Sequence, residues 1–168
     1  MHEPEPPDPH WPRYAARPFP LYRYIPGRTP HPRRDPRGHS YCLPEPRPAP
    51  FPPEAWACSE DYLYAVDLYN FAYWWESHEM LEGLWHAAGR RTEAGRFFRA
   101  LIHLAAANLK RFSQKEEAAR ILLLSGLVQL ERLPPQFMGV DIAGLRAGIR
   151  SVSADPTAQP ILVRLVMP

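Results

Sequence analysis

The sequence predicts an all-α fold, a four- to five-helix bundle preceded by an extended, Pro-rich N-terminal arm. Seventeen of the 22 Pro lie in residues 1–53, where they exclude helix and favour extended or polyproline II backbone. The rest of the chain repeats apolar residues at three- and four-residue spacing, which indicates amphipathic helices. We therefore divide the chain into an arm (1–53), a helical bundle domain (54–152) and an apolar C-terminal tail (153–168).

The arm differs in composition from a disordered linker, because it contains seven aromatic residues. Since Pro fixes φ and reduces the entropy lost on ordering, we expect the arm to lie partly on the helical domain. Within it, His31, Asp35 and His39 could be metal ligands. A surface turn in which Asp35 hydrogen-bonds its own backbone is the interpretation that the Asp-Pro and Arg-Gly pairs favour.

Capping residues and helix breakers predict the ends of five helices. These are Ser59 to about Asn70, a Trp-rich helix ending at Gly89, Thr92 to about Phe112, Ser113–Glu116 to about Leu133, and Asp141 to about Arg150. The fourth helix has Leu, Ile and Val in nearly all directions. A helix that is apolar all round is central to its bundle or shared with another subunit, so we expect a homo-oligomer.

Composition argues against several classes of protein. The formal charge is only +2, so nucleic acid is not an expected partner. The chain has 18 Arg and only 2 Lys, a bias that a genome rich in G and C produces without selection for phosphate binding. No apolar run approaches the roughly 18–20 residues that span a bilayer. The N-terminus lacks signal-peptide features, and Cys42 and Cys58 form no Cys-x-x-Cys pattern. We expect a cytoplasmic protein with two free thiols and no membrane partner.

The chemistry of the chain is concentrated in residues 73–86, where three Trp, two His and three Glu occur within fourteen residues. On a helix, His78, Glu82 and His86 recur at i, i+4 and i+8 and form one polar stripe beside the apolar face. Asn108 falls on the apolar face of the third predicted helix, so its side-chain amide would be buried and would need hydrogen-bond partners. The candidate pocket residues are His78, Glu79, Glu82, Trp85, Trp75, Asn70 and Asn108.

Three interpretations of the stripe remain open. His78 and Glu82 could supply two metal ligands from one face, with a third from His86, Asp67, Asn70 or the arm, although the zincin motif requires His where Glu82 stands. Alternatively, Glu82 could orient His78 as a general base between Trp75 and Trp85. In the third interpretation His78 and Glu82 are a hydrogen-bonded structural pair. The sequence favours the third interpretation, and no cofactor or metal is predicted.

Two functions from different classes follow from this stretch. We favour a binding or interaction module with a His/Glu/Trp pocket for an unknown ligand. The alternative is a metal-assisted hydrolase that uses His78 and Glu82. The sequence contains no Gly-rich phosphate loop and no nucleophile in a recognisable context, so it assigns no reaction.

The segment Asn70-x-x-Tyr73-Trp74-Trp75-Glu76-Ser77-His78-Glu79-x-Leu81-Glu82-x-Leu84-Trp85 resembles the signature of a bacterial and archaeal family, the domain-of-unknown-function family numbered 309. The following Phe98-x-x-Leu101-Ile102-x-Leu104-Ala105-Ala106 is similar to the family's next helix, and the resemblance covers roughly residues 59–133. It implies a small all-α bundle, with the family motif on His78, Glu79, Glu82 and Trp85. At 103 the chain has His where the family pattern has Gln. No activity follows from the resemblance.

Overall fold

The structure is a computed structural model that describes residues 3–168. Its elements, in order, are a 3-10 helix (Pro53–Cys58), α1 (Glu60–Asn70), α2 (Trp74–Ala88), α3 (Glu93–Phe112), α4 (Glu116–Leu130), β1 (Gln136–Phe137), β2 (Val140–Asp141) and α5 (Ile142–Ala154). The two short strands pair as an antiparallel hairpin. The predicted all-α fold with an extended Pro-rich arm before it is confirmed.

Local sequence signals set most helix ends. Three predicted capping side chains each accept a hydrogen bond from a backbone N–H in the first turn of their helix: Ser59, Thr92 and Asp141. These bonds satisfy N–H groups that have no partner within the helix. Gly89 follows α2 with φ at 89°, a backbone angle that glycine adopts without the steric cost of a Cβ.

The start and end of α4 differ from the prediction. Ser113 does not cap α4, because its hydroxyl donates to the carbonyl of Leu109 in the last turn of α3 (2.9 Å). Helix α4 begins at Glu116 and ends at Leu130, before the predicted Leu133. The Ser–Glu spacing that indicates an N-cap therefore serves the preceding helix, whose last carbonyls also need donors.

Helix α3 is central to the bundle, because it packs against both α2 and α4. Its buried face includes Phe97, Phe98, Leu101 and Leu104, each at most 2% exposed. Tight packing requires small residues at some crossings. A Cβ on Gly126 of α4 would lie 3.3 Å from the carbonyl oxygen of Ala100.

The arm is held to α1 by the buried carboxylate of Asp67. This side chain is fully buried, and it accepts hydrogen bonds from Arg13 Nε (3.0 Å) and from the backbone N–H groups of Tyr14 and Ala15 (both 2.9 Å). A buried charge is tolerated only when it is paired and hydrogen-bonded, and the arm supplies those partners. The docking expected from the aromatic composition of the arm is present.

A second buried carboxylate, Glu76 on α2, holds the next part of the arm. Its Oε1 accepts from the backbone N–H of Tyr24 (2.9 Å) and lies 3.0 Å from Nε2 of His39. The side chains of both His39 and Glu76 are nearly fully buried. Between these two contacts, Phe19 packs on Tyr73 with ring centroids 4.8 Å apart. The arm therefore contacts α1 and α2 at several points between Arg13 and His39.

The C-terminal tail is fixed by Asn70 at the end of α1. Its amide donates to the carbonyl of Val163 and accepts from the N–H of the same residue, both at 2.8 Å. Further along, the backbone N–H of Leu165 donates to the hydroxyl of Tyr14 (3.0 Å), so the tail contacts both the bundle and the arm. Across residues 3–168, none of the helices has the length and apolar content needed to cross a membrane.

Candidate functional site

Helix α2 separates buried from accessible side chains. One face of α2 is buried in the bundle: Trp74, Ser77, Met80, Leu81 and Leu84. On the accessible face, the side chains of His78, Glu79 and Glu82 are 29%, 24% and 43% exposed. The spacing i, i+1 and i+4 brings these three groups together on the surface of the helix.

The three side chains form a compact cluster. Nδ1 of His78 lies 3.8 Å from Oε1 of Glu79, and Nε2 lies 3.9 Å from Oε1 of Glu82. One nitrogen or oxygen atom from each residue can be chosen so that all three lie within 4.8 Å of one another. Both His78 distances exceed hydrogen-bond length, so the expected hydrogen-bonded pair of His78 and Glu82 is not formed. Among residues 3–168, no group hydrogen-bonds the buried Nδ1 of His78.

The arm adds a cation to this cluster. Nε of Arg33 lies 3.5 Å from Oε2 of Glu79, and Nη1 of Arg33 donates to the carbonyl of Leu43 (3.2 Å). The neighbouring imidazole of His78, and then the Arg33 guanidinium, hold the pKa of the Glu79 carboxyl below its usual value, while partial burial opposes the shift. Glu79 is therefore ionised at neutral pH, beside a positively charged partner from the arm.

A groove of about 490 Å³ runs between the arm and α2. Its lining combines acidic, basic and aromatic side chains: His31, Arg33, Arg34, Glu45, Pro46, Trp75, Glu79, Glu82, Gly83 and His86. The volume lies in the range of pockets for small molecules. The polar face of α2 is thus one wall of a groove whose other wall is the arm.

Aromatic packing and a glycine position the two walls. The ring of Trp75 meets Tyr24 and His31 edge-on, with centroids 5.2 and 5.6 Å apart. At Gly83, an added Cβ would lie 2.7 Å from Cδ of Pro48 and 2.9 Å from the carbonyl oxygen of Pro46. Only a residue without a side chain allows the arm to approach α2 so closely at this point.

The predicted site residues divide into three groups. Trp75, Glu79 and Glu82 line the groove, with His78 clustered beside the two acids. His86, proposed as a metal ligand, lines the same groove but lies outside the three-residue cluster. Trp85 is not among the groove residues, and its ring packs under the guanidinium of Arg90 at 4.8 Å.

The two asparagines lie elsewhere in the fold. Asn70 is fully buried and binds the tail, as described above. Asn108 is 3% exposed, and its amide donates to the hydroxyl of Tyr69 at 3.2 Å. The requirement that a buried Asn108 find a partner is met, but by α1 and not by His78 or Glu82.

His103 is half-buried, whereas the helical wheel indicated exposure to solvent. Burial, together with the nearby Arg99, lowers the pKa of its imidazole. The reason for the difference lies on α4, because Gly126 lets that helix approach α3, and an added Cβ there would lie 3.5 Å from Cβ of His103. A helical wheel for α3 alone cannot show how closely α4 approaches, and so it could not predict the burial of His103.

Five groove residues come from the arm: His31, Arg33, Arg34, Glu45 and Pro46. The sequence analysis considered His31 only as a metal ligand in a turn of the arm and did not single out the other four. They lie thirty or more residues before the α2 acids in the chain, so no local pattern connects the two walls. The turn-rich character of this part of the arm was the only sequence signal. Asp35 hydrogen-bonds the backbone N–H of Arg37 (2.9 Å) as expected, and that turn presents Arg33 and Arg34 to α2.

The central helices are similar to a known family. A comparison with curated proteins gave no match. The family model that matches covers residues 62–122, which include nearly all of α1, all of α2 and α3, and the start of α4. The groove acids Glu79 and Glu82 lie in this segment, whereas the arm, with the third groove acid Glu45, lies outside it. The family is described as Domain of unknown function (DUF309), and the predicted resemblance to it is confirmed over residues 62–122.

Proposed function

We propose that this protein is a binding module and that its ligand lies in the groove between the arm and α2. The observation that carries the proposal is the placement of charges of both signs around one groove. Arg33 and Arg34 lie on the arm side together with Glu45, whereas Glu79 and Glu82 lie on the helix side. Charged groups on both walls provide complementary partners for a ligand that has both signs of charge.

The chemistry of each wall indicates the class of ligand. Guanidinium groups bind carboxylate or phosphate through paired hydrogen bonds, so Arg33 and Arg34 suit an anionic group. An ammonium group is attracted both to carboxylates and to the face of an aromatic ring, so Glu82 and Trp75 suit a cationic group. The ligand class is therefore a small zwitterion that carries an ammonium and a carboxylate, as free amino acids do.

Arg33 connects the two walls of the groove, because it lies on the arm and contacts Glu79 on α2. Its contact with Glu79 leaves that carboxylate partly neutralised, whereas Glu82 is 43% exposed and, among residues 3–168, forms an ion pair only with Nε2 of His78 at 3.9 Å. Glu82 is consequently the acid that is available for a cationic group. On the other wall, Arg34 is exposed and is available for an anionic group.

Calorimetric titration of the full chain with each standard amino acid tests the proposal. Acetate and ethylammonium serve as half-ligands, and each should bind more weakly than a complete zwitterion because it meets one wall only. Arg34→Met should weaken amino-acid binding by about tenfold, which corresponds to about 1.4 kcal/mol. Arg150→Met, at an exposed position on α5, is the matched control and should bind as the unmodified chain does. Absence of saturable binding by any amino acid at about 10 mM would reject the proposal.

A second candidate function is metal-assisted hydrolysis, which the cluster of His78, Glu79 and Glu82 favours. One imidazole nitrogen and two carboxylates form a ligand set that zinc, manganese and iron accept. A cation with three protein ligands keeps a position for water and lowers the pKa of that water. In this alternative Arg33 binds the anionic part of the substrate, because it lies beside Glu79.

Elemental analysis of protein purified without an affinity tag tests this alternative. Stoichiometric zinc, manganese or iron that is lost in His78→Ala and kept in His86→Ala would support a site at the cluster. His86 is a suitable control because it lines the groove without belonging to the cluster. Metal-free protein whose melting temperature is unchanged by added zinc or manganese would reject it. Amino-acid binding that persists in a chelator would separate the binding module from the metal enzyme.

We also propose a cytoplasmic location. Cys42 and Cys58 are free and exposed, and exposed thiols persist in a reducing compartment. Thiol titration of protein from a fresh lysate, before and after reductant, should count two free thiols in both cases. A disulfide-linked or blocked form in the fresh lysate would argue for an oxidising location.

A further inference from the structure

Helix α4 buries one face and exposes another. The buried residues of α4 face the bundle: Ala119, Leu123, Gly126, Leu127 and Leu130. On the outside, Ile121, Leu124 and Val128 are 54%, 38% and 58% exposed. Their spacing of three and four residues places them on one stripe along the helix. Within residues 3–168, neither the arm nor the tail covers this stripe.

We propose that this stripe binds a second copy of the chain, with α4 packed antiparallel against α4 of the partner. The two-fold axis passes between Leu124 and Ser125, so that Ile121 of one copy lies opposite Val128 of the other. Two-fold dimers are the commonest closed assemblies, and in them one surface patch pairs with itself. The inference is independent of the proposed groove ligand, because α4 contributes nothing to the groove.

Charge complementarity identifies a second copy as the occupant and sets its direction. The stripe continues at the same spacing to Glu117 at its start and to Arg132 just beyond its end. About the same two-fold axis, Glu117 of each copy lies opposite Arg132 of the other, at both ends of the contact. A parallel arrangement would place Glu117 beside Glu117 and would align the two helix dipoles, both of which are unfavourable.

The two charged residues are placed to make this contact. Glu117 is 69% exposed, and its two carboxylate oxygens accept from Nε and Nη2 of Arg120 on the same helix (3.0 and 2.8 Å), an exposed pair that can exchange for Arg132 of the second copy. Arg132 is exposed and follows Glu131, whose φ of −60° and ψ of −29° continue the helical path of α4. The line from Glu117 to Arg132 is about 22 Å long at 1.5 Å per residue, long enough for a helix-to-helix contact.

The size of the patch sets the strength of the dimer. Stable interfaces bury about 800 Å² on each partner, and three aliphatic side chains with a charged rim supply less than that. The dimer is therefore weak and depends on concentration, with a dissociation constant on the order of 100 µM. Dilute protein is monomeric, and concentrated protein is dimeric.

Sedimentation equilibrium of the full chain over a range of concentrations tests the contact. Val128→Glu places a charge opposite Ile121 and should weaken dimerisation by at least about tenfold. Leu43→Glu is the matched control, because Leu43 is also an exposed aliphatic residue, 60% exposed, but lies in the arm. Circular dichroism establishes that both variants remain folded. A chain that stays monomeric at millimolar concentration, or a Val128→Glu variant that dimerises normally, would overturn the proposal.

Charge reversal tests the antiparallel direction. Glu117→Arg alone should weaken the dimer, because it places Arg opposite Arg132 of the partner. Adding Arg132→Glu to Glu117→Arg should restore the original affinity, since each copy again presents opposite charges at both ends. A double variant as weak as the single one would show that these residues do not meet and would refute this arrangement.

Discussion

The first two helices carry two kinds of carboxylate that differ in their surroundings. Asp67 and Glu76 are buried, and backbone N–H groups of the arm donate hydrogen bonds to both. Glu79 and Glu82 lie only three and six residues after Glu76, yet they are partly exposed and line the groove. On α2, therefore, Glu76 binds the backbone of the arm, whereas Glu79 and Glu82 face the groove.

This difference separates structural acids from acids available for binding. A buried carboxylate without partners destabilises the fold. Both oxygens of Asp67 and Oε1 of Glu76 accept from the arm, and so these two acids are committed to holding it. A half-exposed carboxylate retains water and can exchange it for a ligand. The comparison predicts that substitutions at Asp67 and Glu76 change stability, whereas substitutions at Glu82 change binding. Substitutions at the two buried acids and then at the partly exposed Glu79 test this prediction for stability, from the largest expected effect to the smallest.

Asp67→Ala should have the largest effect. It removes three hydrogen bonds and leaves Arg13 and two backbone N–H groups of the arm without their acceptor. Hydrogen bonds to a buried charge contribute roughly 1.5–3 kcal/mol, so we expect the free energy of unfolding to fall by about 3 kcal/mol. Urea denaturation of the variant measures this loss.

Asp61→Ala is the control for that substitution. Asp61 is also on α1 and binds the arm through Arg17 at 2.8 Å, but both side chains are about one-third exposed. Ion pairs that reach solvent contribute about 0–1 kcal/mol, so this variant should lose at most that amount. Equal losses in the two variants would contradict the distinction between buried and exposed acids.

Glu76→Gln should have an intermediate effect. The amide oxygen of Gln can still accept from the N–H of Tyr24, so the substitution removes the charge while one hydrogen bond remains. We expect a loss of about 1–2 kcal/mol in the free energy of unfolding. Glu54→Gln, at an exposed position of the 3-10 helix, should change it by less than about 0.5 kcal/mol. If Glu76→Gln leaves the free energy of unfolding unchanged, the charge of Glu76 does not stabilise the docked arm.

Glu79→Gln should have the smallest effect, and that effect should depend on pH. The folded-state pKa of Glu79 lies below its reference value of 4.5, first because of His78 and then because of Arg33. A carboxyl with a lowered folded-state pKa stabilises the protein above the unfolded pKa, and this contribution is lost as pH falls through the folded value. At neutral pH the variant should lose less than about 1 kcal/mol, because the group is partly solvated.

Urea denaturation at several pH values measures how the stability loss of Glu79→Gln depends on pH. The difference between Glu79→Gln and the unmodified chain should be constant from pH 7 to about pH 5 and should shrink below about pH 4.5. A difference that does not change with pH would show that the ionised form of Glu79 has no favourable partner. The proposed contact with Arg33 would then contribute nothing to stability.

The sequence predicted local structure well, because local structure depends on neighbouring residues. Ser59, Thr92 and Asp141 cap their helices as expected, and Gly89 ends α2. The same kind of signal failed at Ser113, which lies between two helices. Its hydroxyl donates to a carbonyl of the preceding helix α3 and does not cap α4. Capping patterns do not specify which of two adjoining helix ends they serve.

The candidate site could be predicted only on its helical side. Glu79, Glu82 and Trp75 share one helix, so their spacing was enough to place them together. Asn70 shared the same part of the sequence but lies at the end of α1, where its amide meets Val163, more than ninety residues away. The second wall depends on where the arm docks. Docking follows from the buried acids Asp67 and Glu76, whose partners no periodic pattern reveals.

The comparison of the two kinds of acid is tested most directly by Glu82→Gln, measured for both stability and binding in the same preparation. The substitution keeps the size of the side chain and removes the charge that faces the groove. The account predicts a free energy of unfolding within about 0.5 kcal/mol of the unmodified chain and amino-acid binding weakened by at least about tenfold. A stable variant that binds as tightly as the unmodified chain, or a loss of stability comparable to that of Asp67→Ala, would contradict it.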